Sequence, residues 1–215
     1  LAAGKGRFEQ TLAVAAPALW SPGSPSLYTL RTELLSDDKL VDVLDTTFGI
    51  RSAVFEAERG LLLNGQPVKM LGMCEHHDGG CVGAAVPEAV LARRLRILQE
   101  MGCNAIRTAH NPPSPALLDL CDRMGLLVIC EGFDEWAVPK KPCGYATVFE
   151  QWWQRDLADW IRRDRNHPCV ILWSVGNEVR EQFSESGVAI ARKLIAAVAE
   201  IDPTRPVTCG CNWLA

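Results

Sequence analysis

Long apolar runs, charge of one sign and paired-cysteine motifs are all missing from this chain. No stretch of its 215 residues approaches the roughly 20 apolar residues that a bilayer-spanning helix needs. The formal net charge is −4 and the pI is near 5.6, so there is no basic face to grip nucleic acid or an anionic membrane surface. No charged-then-apolar leader opens the sequence. It begins at Leu1 rather than Met, inside what reads as a strand, so the start reads as cut. The nine cysteines are odd in number and include no CxxC, which argues against a disulfide framework. Cys74, Cys103, Cys121, Cys130 and Cys169 sit in apolar segments, where free thiols pack as small hydrophobes. Such thiols point to a reducing, cytoplasmic compartment. Cys209 and Cys211 face one way along a strand, but two ligands are too few for a metal centre.

What remains is an ordinary globular composition, with 48% hydrophobic and 22% charged residues, enough for one or two domains. The sequence changes character near residue 51. Before it, "RFEQTLAV", "LYTLRTELL" and "LVDVLDTTFGI" alternate partially and are separated by "SPGSPS" and "SDDK", as in the end of a β-sandwich. Residues 1–51 are assigned to that sandwich, and residues 52–215 to a second unit. There "LLLNGQPVKM" carries an Asn64-Gly65 turn. Helices are predicted over 87–101, 115–124, 149–163 and 188–201, alternating with the strands "VKMLGM", "NAIRTAH", "LLVICEG", "VILWSVGNE" and "RPVTCGC". Alternation with continuous apolar strands demands a parallel sheet covered by helices. No GxGxxG turn follows a strand, so a nucleotide-binding open sheet loses its main support. Polar residues gather instead at the C-terminal ends of successive strands ("GMCEHHD", "IRTAHN", "ICEGFDEW", "WSVGNE"), which is where a (β/α)8 barrel builds its active site. The fold class is therefore α/β, a partial TIM barrel comprising strands one to five.

The run "NHPCVILWSVGNEV" ends a dry strand in Asn177-Glu178. A carboxyl on such a rim is expected to lose solvation and keep its proton near neutrality. The neighbouring amide can hold a sugar hydroxyl, so the pair suits protonation of a glycosidic oxygen. Taken alone, Glu178 can equally cap a helix or pair with Arg180. Glu131, one strand away, can be the second carboxylate of such a pair or the ion partner of Arg107. Asp134 and Glu135 can line a pocket or be loop carboxylates. Trp136 and Trp213 can stack on a sugar face, whereas Trp152, Trp153 and Trp160 read as core. The pair His76-His77 is poor evidence for a metal site, and His167 reads as structural.

"RDRNHPCVILWSVGNE" resembles the signature of glycoside hydrolase family 2. "LWSPGSPSLYTL", "DTTFGIRS", "LNGQPVKMLGMCEHHD", "EMGCNAIRTAHNPP" and "LLDLCDRMGLLVICEGFDEW" resemble its successive segments in order. "GMCEHHD" and "GFDEW" are most similar to the bacterial β-galactosidases, with β-glucuronidases and β-mannosidases as the alternatives. The resemblance implies the end of an immunoglobulin-like sandwich followed by the first half of a catalytic barrel, from a retaining exo-glycosidase acting on terminal β-linked sugars. It implies that Glu178 is the general acid/base and that Asn177 binds the substrate. Arg107, His110, Asn111 and His76 would lie near the sugar, with Glu131 in a supporting part. The family's nucleophile has no match here and would lie beyond Ala215, so the chain alone is expected to be inactive. No cofactor is required. Some members hold magnesium through a Glu-x-His, but this chain reads Glu135-Trp136-Ala137, which argues against the ion. The expected partners are the sugar and the remaining barrel strands, and the open strand edges favour self-association into a homo-oligomer. A non-catalytic carbohydrate-binding fragment is the rival reading.

Overall fold

The computed structural model describes residue 6 and residues 8–212. The first regular element is a hairpin, β1 (Tyr28–Ser36) with β2 (Lys39–Phe48), paired antiparallel from Tyr28 opposite Phe48 to Ser36 opposite Lys39. Its turn places Asp37 and Asp38 at φ of 49° and 60°, the left-handed pair that a two-residue hairpin loop requires. The strand expected over "RFEQTLAV" does not form: residues 8–14 carry no regular structure and are exposed. An extended segment becomes a strand only when a neighbour takes its backbone N–H and C=O groups, and among the described residues β1 and β2 pair only with each other.

Next come β3 (Ala53–Glu56), β4 (Gly60–Leu63) and β5 (Gln66–Pro67), a small antiparallel sheet. Asn64 and Gly65, at φ of 52° and 76°, make the β4–β5 turn that their dipeptide predicts. Asn64 is also a fastener. Its Oδ1 accepts from Ser52 N at 3.0 Å and its Nδ2 donates to Trp20 O at 3.0 Å.

The main body is a five-stranded parallel sheet ordered β10-β9-β8-β7-β6. The strands are β6 (Gly72–His76), β7 (Ala105–Ala109), β8 (Leu127–Glu131), β9 (Val170–Asn177) and β10 (Val207–Gly210). Helices α1 (Glu88–Glu100), α2 (Pro115–Met124), α3 (Phe149–Asp164) and α4 (Glu185–Ile201) make the four crossovers. Every strand lies beside its neighbour in sequence, the order of a (β/α)8 barrel from its first strand to its fifth. Pro115 stands at the start of α2, and Gly125 closes that helix in the left-handed conformation at φ 74°. The inner strands β7, β8 and β9 are nearly all buried, while β6 at the sheet edge is mostly exposed. Cys74, on that edge, is therefore exposed rather than core, whereas Cys121, Cys130 and Cys169 are buried. Among the described residues no helix is long and apolar enough to cross a membrane.

Two side chains tie the N-terminal segment to the barrel, one at the end of α2 and one at the start of β9. Trp20 is fully buried and donates from Nε1 to Asp122 O at 2.9 Å. Arg51 donates to Pro168 O at 2.7 Å and Val170 O at 2.5 Å, and burial lowers its pKa to about 10. The rim at the opposite ends of the strands is thereby left to chemistry.

Candidate active site

Glu131 ends β8 and is fully buried, a costly place for a carboxylate unless every lone pair is used. Arg107, midway along β7, answers it with a two-pronged pair: Nε to Oε2 at 3.0 Å and Nη2 to Oε1 at 2.8 Å. Ser174 Oγ on β9 donates to Oε2 at 2.5 Å, and His110 Nδ1 lies 2.9 Å from Oε1. Thr108 Oγ1 accepts from Glu131 N at 2.9 Å. Three adjacent strands thus supply one network. Glu131 is the ion partner of Arg107, and with both oxygens taken up it is not free to attack a substrate.

The same guanidinium reaches the end of β9, where Arg107 Nη2 donates to Asn177 Oδ1 at 2.7 Å. The other end of that amide is held too, since Asn177 Nδ2 donates to Asp134 Oδ1 at 2.9 Å. Asn177 is buried and its orientation is fixed from both sides, leaving one amide N–H for a ligand. Burial would raise the Asp134 carboxyl, but hydrogen bonds from Lys140 and Asn177 and the Lys140 charge hold it below its ordinary value.

Glu178 follows at φ 44°, and its N–H donates to Gly210 O at 2.6 Å. Gly210 leaves room for the guanidinium, since a Cβ there would lie 2.8 Å from Arg107 Nη2 and would push it aside. The Glu178 side chain is exposed, which corrects the expectation of a dry, desolvated carboxyl. The strand below it is dry, but the left-handed turn lifts the residue off the strand to the open side of the rim. Its backbone still sits beside the Arg107–Asn177 cluster through Gly210.

The remaining candidates divide. The ring of exposed His76 packs edge-on against His110, with centroids 5.2 Å apart. Asn111 is exposed and lines, with His76, His110, Asp134 and Tyr145, a cleft of about 810 Å³ between the loops after β6, β7 and β8. That cleft meets the polar cluster at His110 and Asp134, and Glu178 does not line it. The candidate site is therefore the hydrogen-bonded cluster, with the cleft opening beside it. Trp136 is not a sugar platform: it is 2% exposed, donates from Nε1 to Val175 O at 2.8 Å and packs against Gly176. The loop after β8 folds the ring inward, where its area is worth most. Trp213 lies outside the described residues.

Comparison with known proteins settles the family. Residues 56–214 match the model for the TIM barrel domain of family 2 glycosyl hydrolases, and residues 2–51 match a second model of the same family. The chain belongs to glycosyl hydrolase family 2. It is 44% identical to a β-galactosidase of Bacteroides ovatus, over 95% of this chain and 28% of that protein. It is 44% identical to a putative β-glucuronidase of Formosa agariphila, over 94% of this chain and 19% of that protein. A solved family 2 structure from Bacteroides cellulosilyticus superposes with a TM-score of 0.90 at 45% identity, over 93% of this chain and 26% of that one. The chain therefore spans about a quarter of the length of these family 2 relatives.

The family's magnesium finds poor ground here. Glu135 is 3% exposed, and its carboxylate accepts from Lys140 N at 2.5 Å and Ala146 N at 2.9 Å. Burial would raise this carboxyl, but those backbone N–H groups hold it low. It staples its own loop and the Ala137 side chain offers no ligand atom, so these residues do not fit a shared cation. The three-ligand cluster among the described residues lies elsewhere, at Asp122, His167 and Cys169. Its polar groups are already satisfied, with His167 Nδ1 at 2.6 Å and Cys169 N at 3.0 Å from the two Asp122 oxygens. The residue that sequence reasoning missed in this family 2 site is Lys140. Its ammonium donates to Asp134 Oδ1 at 2.8 Å and to Asn177 O at 2.6 Å. Nothing in "AVPKKPCG" sets it apart from its neighbour Lys141, because the distinction arises only when the loop folds back over β9.

Proposed function

We propose that this chain is the acid/base half of a retaining exo-acting β-glycosidase, with terminal β-galactosides as its substrates. The observation that carries the reading is the Asn177 amide, locked between Arg107 and Asp134 and immediately followed by Glu178. In this reading the free N–H of Asn177 holds a sugar hydroxyl. Glu178 gives a proton to the leaving oxygen and afterwards takes one from the water that releases the sugar. The attacking carboxylate comes from a part of the parent protein outside these residues, because Glu131 is spent on Arg107. Support for a neutral sugar over a uronate comes from charge within the cluster: Arg107 is paired with Glu131 and Lys140 with Asp134, so neither is left to meet a substrate carboxylate, although Lys141 lines the adjoining cleft. The relatives named as β-galactosidase and β-glucuronidase frame that choice.

The test compares nitrophenyl β-galactoside with nitrophenyl β-glucuronide on the full-length parent and on the 215-residue chain. Turnover of the galactoside by the parent, lost in Glu178→Gln and absent from the short chain, is the expected result. Preference for the glucuronide refutes the sugar assignment, and turnover by the short chain refutes the placement of the nucleophile. Galactose binding by calorimetry with no turnover by the parent would instead favour a carbohydrate-binding role.

A further inference from the structure

The peptide joining Asn177 to Glu178 is held at both ends. Its carbonyl accepts from Lys140 Nζ at 2.6 Å, and its N–H donates to Gly210 O at 2.6 Å. One bond comes from the loop after β8 and the other from β10, the strands on either side of β9. Rotation of this peptide is what would release Glu178 from φ 44°, a conformation that non-glycine residues seldom adopt. The lysine is itself well anchored. Its N–H is bonded to Glu135, its side chain is only 18% exposed, and its ammonium shares Asp134 Oδ1 with the Asn177 amide. A loose surface ion pair contributes little. This ammonium instead links a carboxylate to a main-chain carbonyl beside the proposed proton donor.

We propose that Lys140 is a positioning residue, fixing the Asn177–Glu178 peptide so that the Glu178 carboxyl is aimed at the leaving oxygen. This rests on the acid/base reading of Glu178. The Lys140 ammonium bonds Asp134 and the Asn177 carbonyl and not the Glu178 carboxyl. Its loss should therefore tell only where the proton matters: a leaving group that departs as a stable anion needs no protonation, whereas a basic one does.

The experiment makes Lys140→Met and Lys140→Arg in the full-length parent and compares a phenyl with a 2,4-dinitrophenyl β-galactoside. Aimed general acids contribute about 100-fold or more, so Lys140→Met should lose about 10- to 100-fold in kcat/KM on the phenyl substrate and less than about 3-fold on the dinitrophenyl one. Lys140→Arg, which keeps donors and charge, should recover much of the loss. Equal losses on both substrates, or none, overturn the proposal. A second measurement does not depend on activity: amide hydrogen exchange at Glu178 in the full-length parent should speed up about 10-fold or more in Lys140→Met, with the buried β9 amides unchanged. Unchanged protection at Glu178 overturns the positioning role. If the wild-type parent cleaves neither galactoside, the galactoside assignment falls, and the exchange result alone decides whether Lys140 holds the peptide. Should Lys140→Met fail to fold, Lys140→Gln is measured in its place.

Discussion

Replacing Arg107 with Met removes the charge from beneath the rim while leaving a side chain of similar reach. Glu131 is fully buried and its oxygens have four close polar partners, two of them from Arg107. Breaking a buried ion pair from one side costs about 3–5 kcal/mol, because the remaining charge is stranded. Ser174 and His110 stay in place to share that charge, so the lower end, about 3 kcal/mol, is expected. For a chain of this size that is a fall of about 6–12 °C in Tm. Denaturant melts followed by circular dichroism should therefore give a lower midpoint for Arg107→Met with an unchanged slope. Adding Glu131→Gln removes the stranded charge, so the double variant should recover about 1.5 kcal/mol or more relative to the sum of the single changes. A loss below about 1 kcal/mol in Arg107→Met, or strict additivity in the double variant, would show that the pair is not the keystone of the rim.

Trp136→Ala should lower stability by about 3–5 kcal/mol, since it empties a packed site and orphans Val175 O. If Trp136 instead served as a sugar platform, stability would hold and KM would rise. Gly144→Ala would put a methyl 1.7 Å from Glu135 Oε1, so the loop that carries Lys140 should loosen. Limited proteolysis between Ala137 and Thr147 should then accelerate, and unchanged cleavage would count against the staple. His167 supplies a pH dependence. Burial would lower its pKa, but the hydrogen bond and charge of Asp122 hold it above the ordinary 6.5. A raised folded pKa means that its stabilisation is complete below about pH 6.5 and is lost as pH rises through the folded value. Urea midpoints should fall from about pH 6 to about pH 9, and His167→Gln should flatten that slope; a wild-type midpoint that rises over this range would refute the sign.

The alternation of strands and helices was legible because its causes are local. Leu91 and Leu95 bury one face of α1, Gly125 takes a left-handed φ after α2, and Asn64-Gly65 turns between β4 and β5. The order of the five parallel strands followed, since short crossovers leave little choice. What escaped depended on distant neighbours. The apolar alternation of residues 8–14 suggested a strand, but among the described residues no partner pairs with it. Trp136 and Lys140 lie in a loop with no periodicity, and only folding sends one inward and the other across to Asn177. Glu178 was expected to be dry because its strand is, but its backbone turns at the last step and carries it out of the strand's shelter.

That last step restricts anyone who wishes to silence the proposed acid. Gly tolerates a φ of 44° freely and Asn more readily than most, but a branched Val, Thr or Ile would strain against its own carbonyl. A null variant built from those residues would bend the end of β9 along with removing the carboxyl, and its phenotype would mix two causes. Gln keeps the length and flexibility of the native side chain, so it is the substitution whose effect can be assigned to the missing proton.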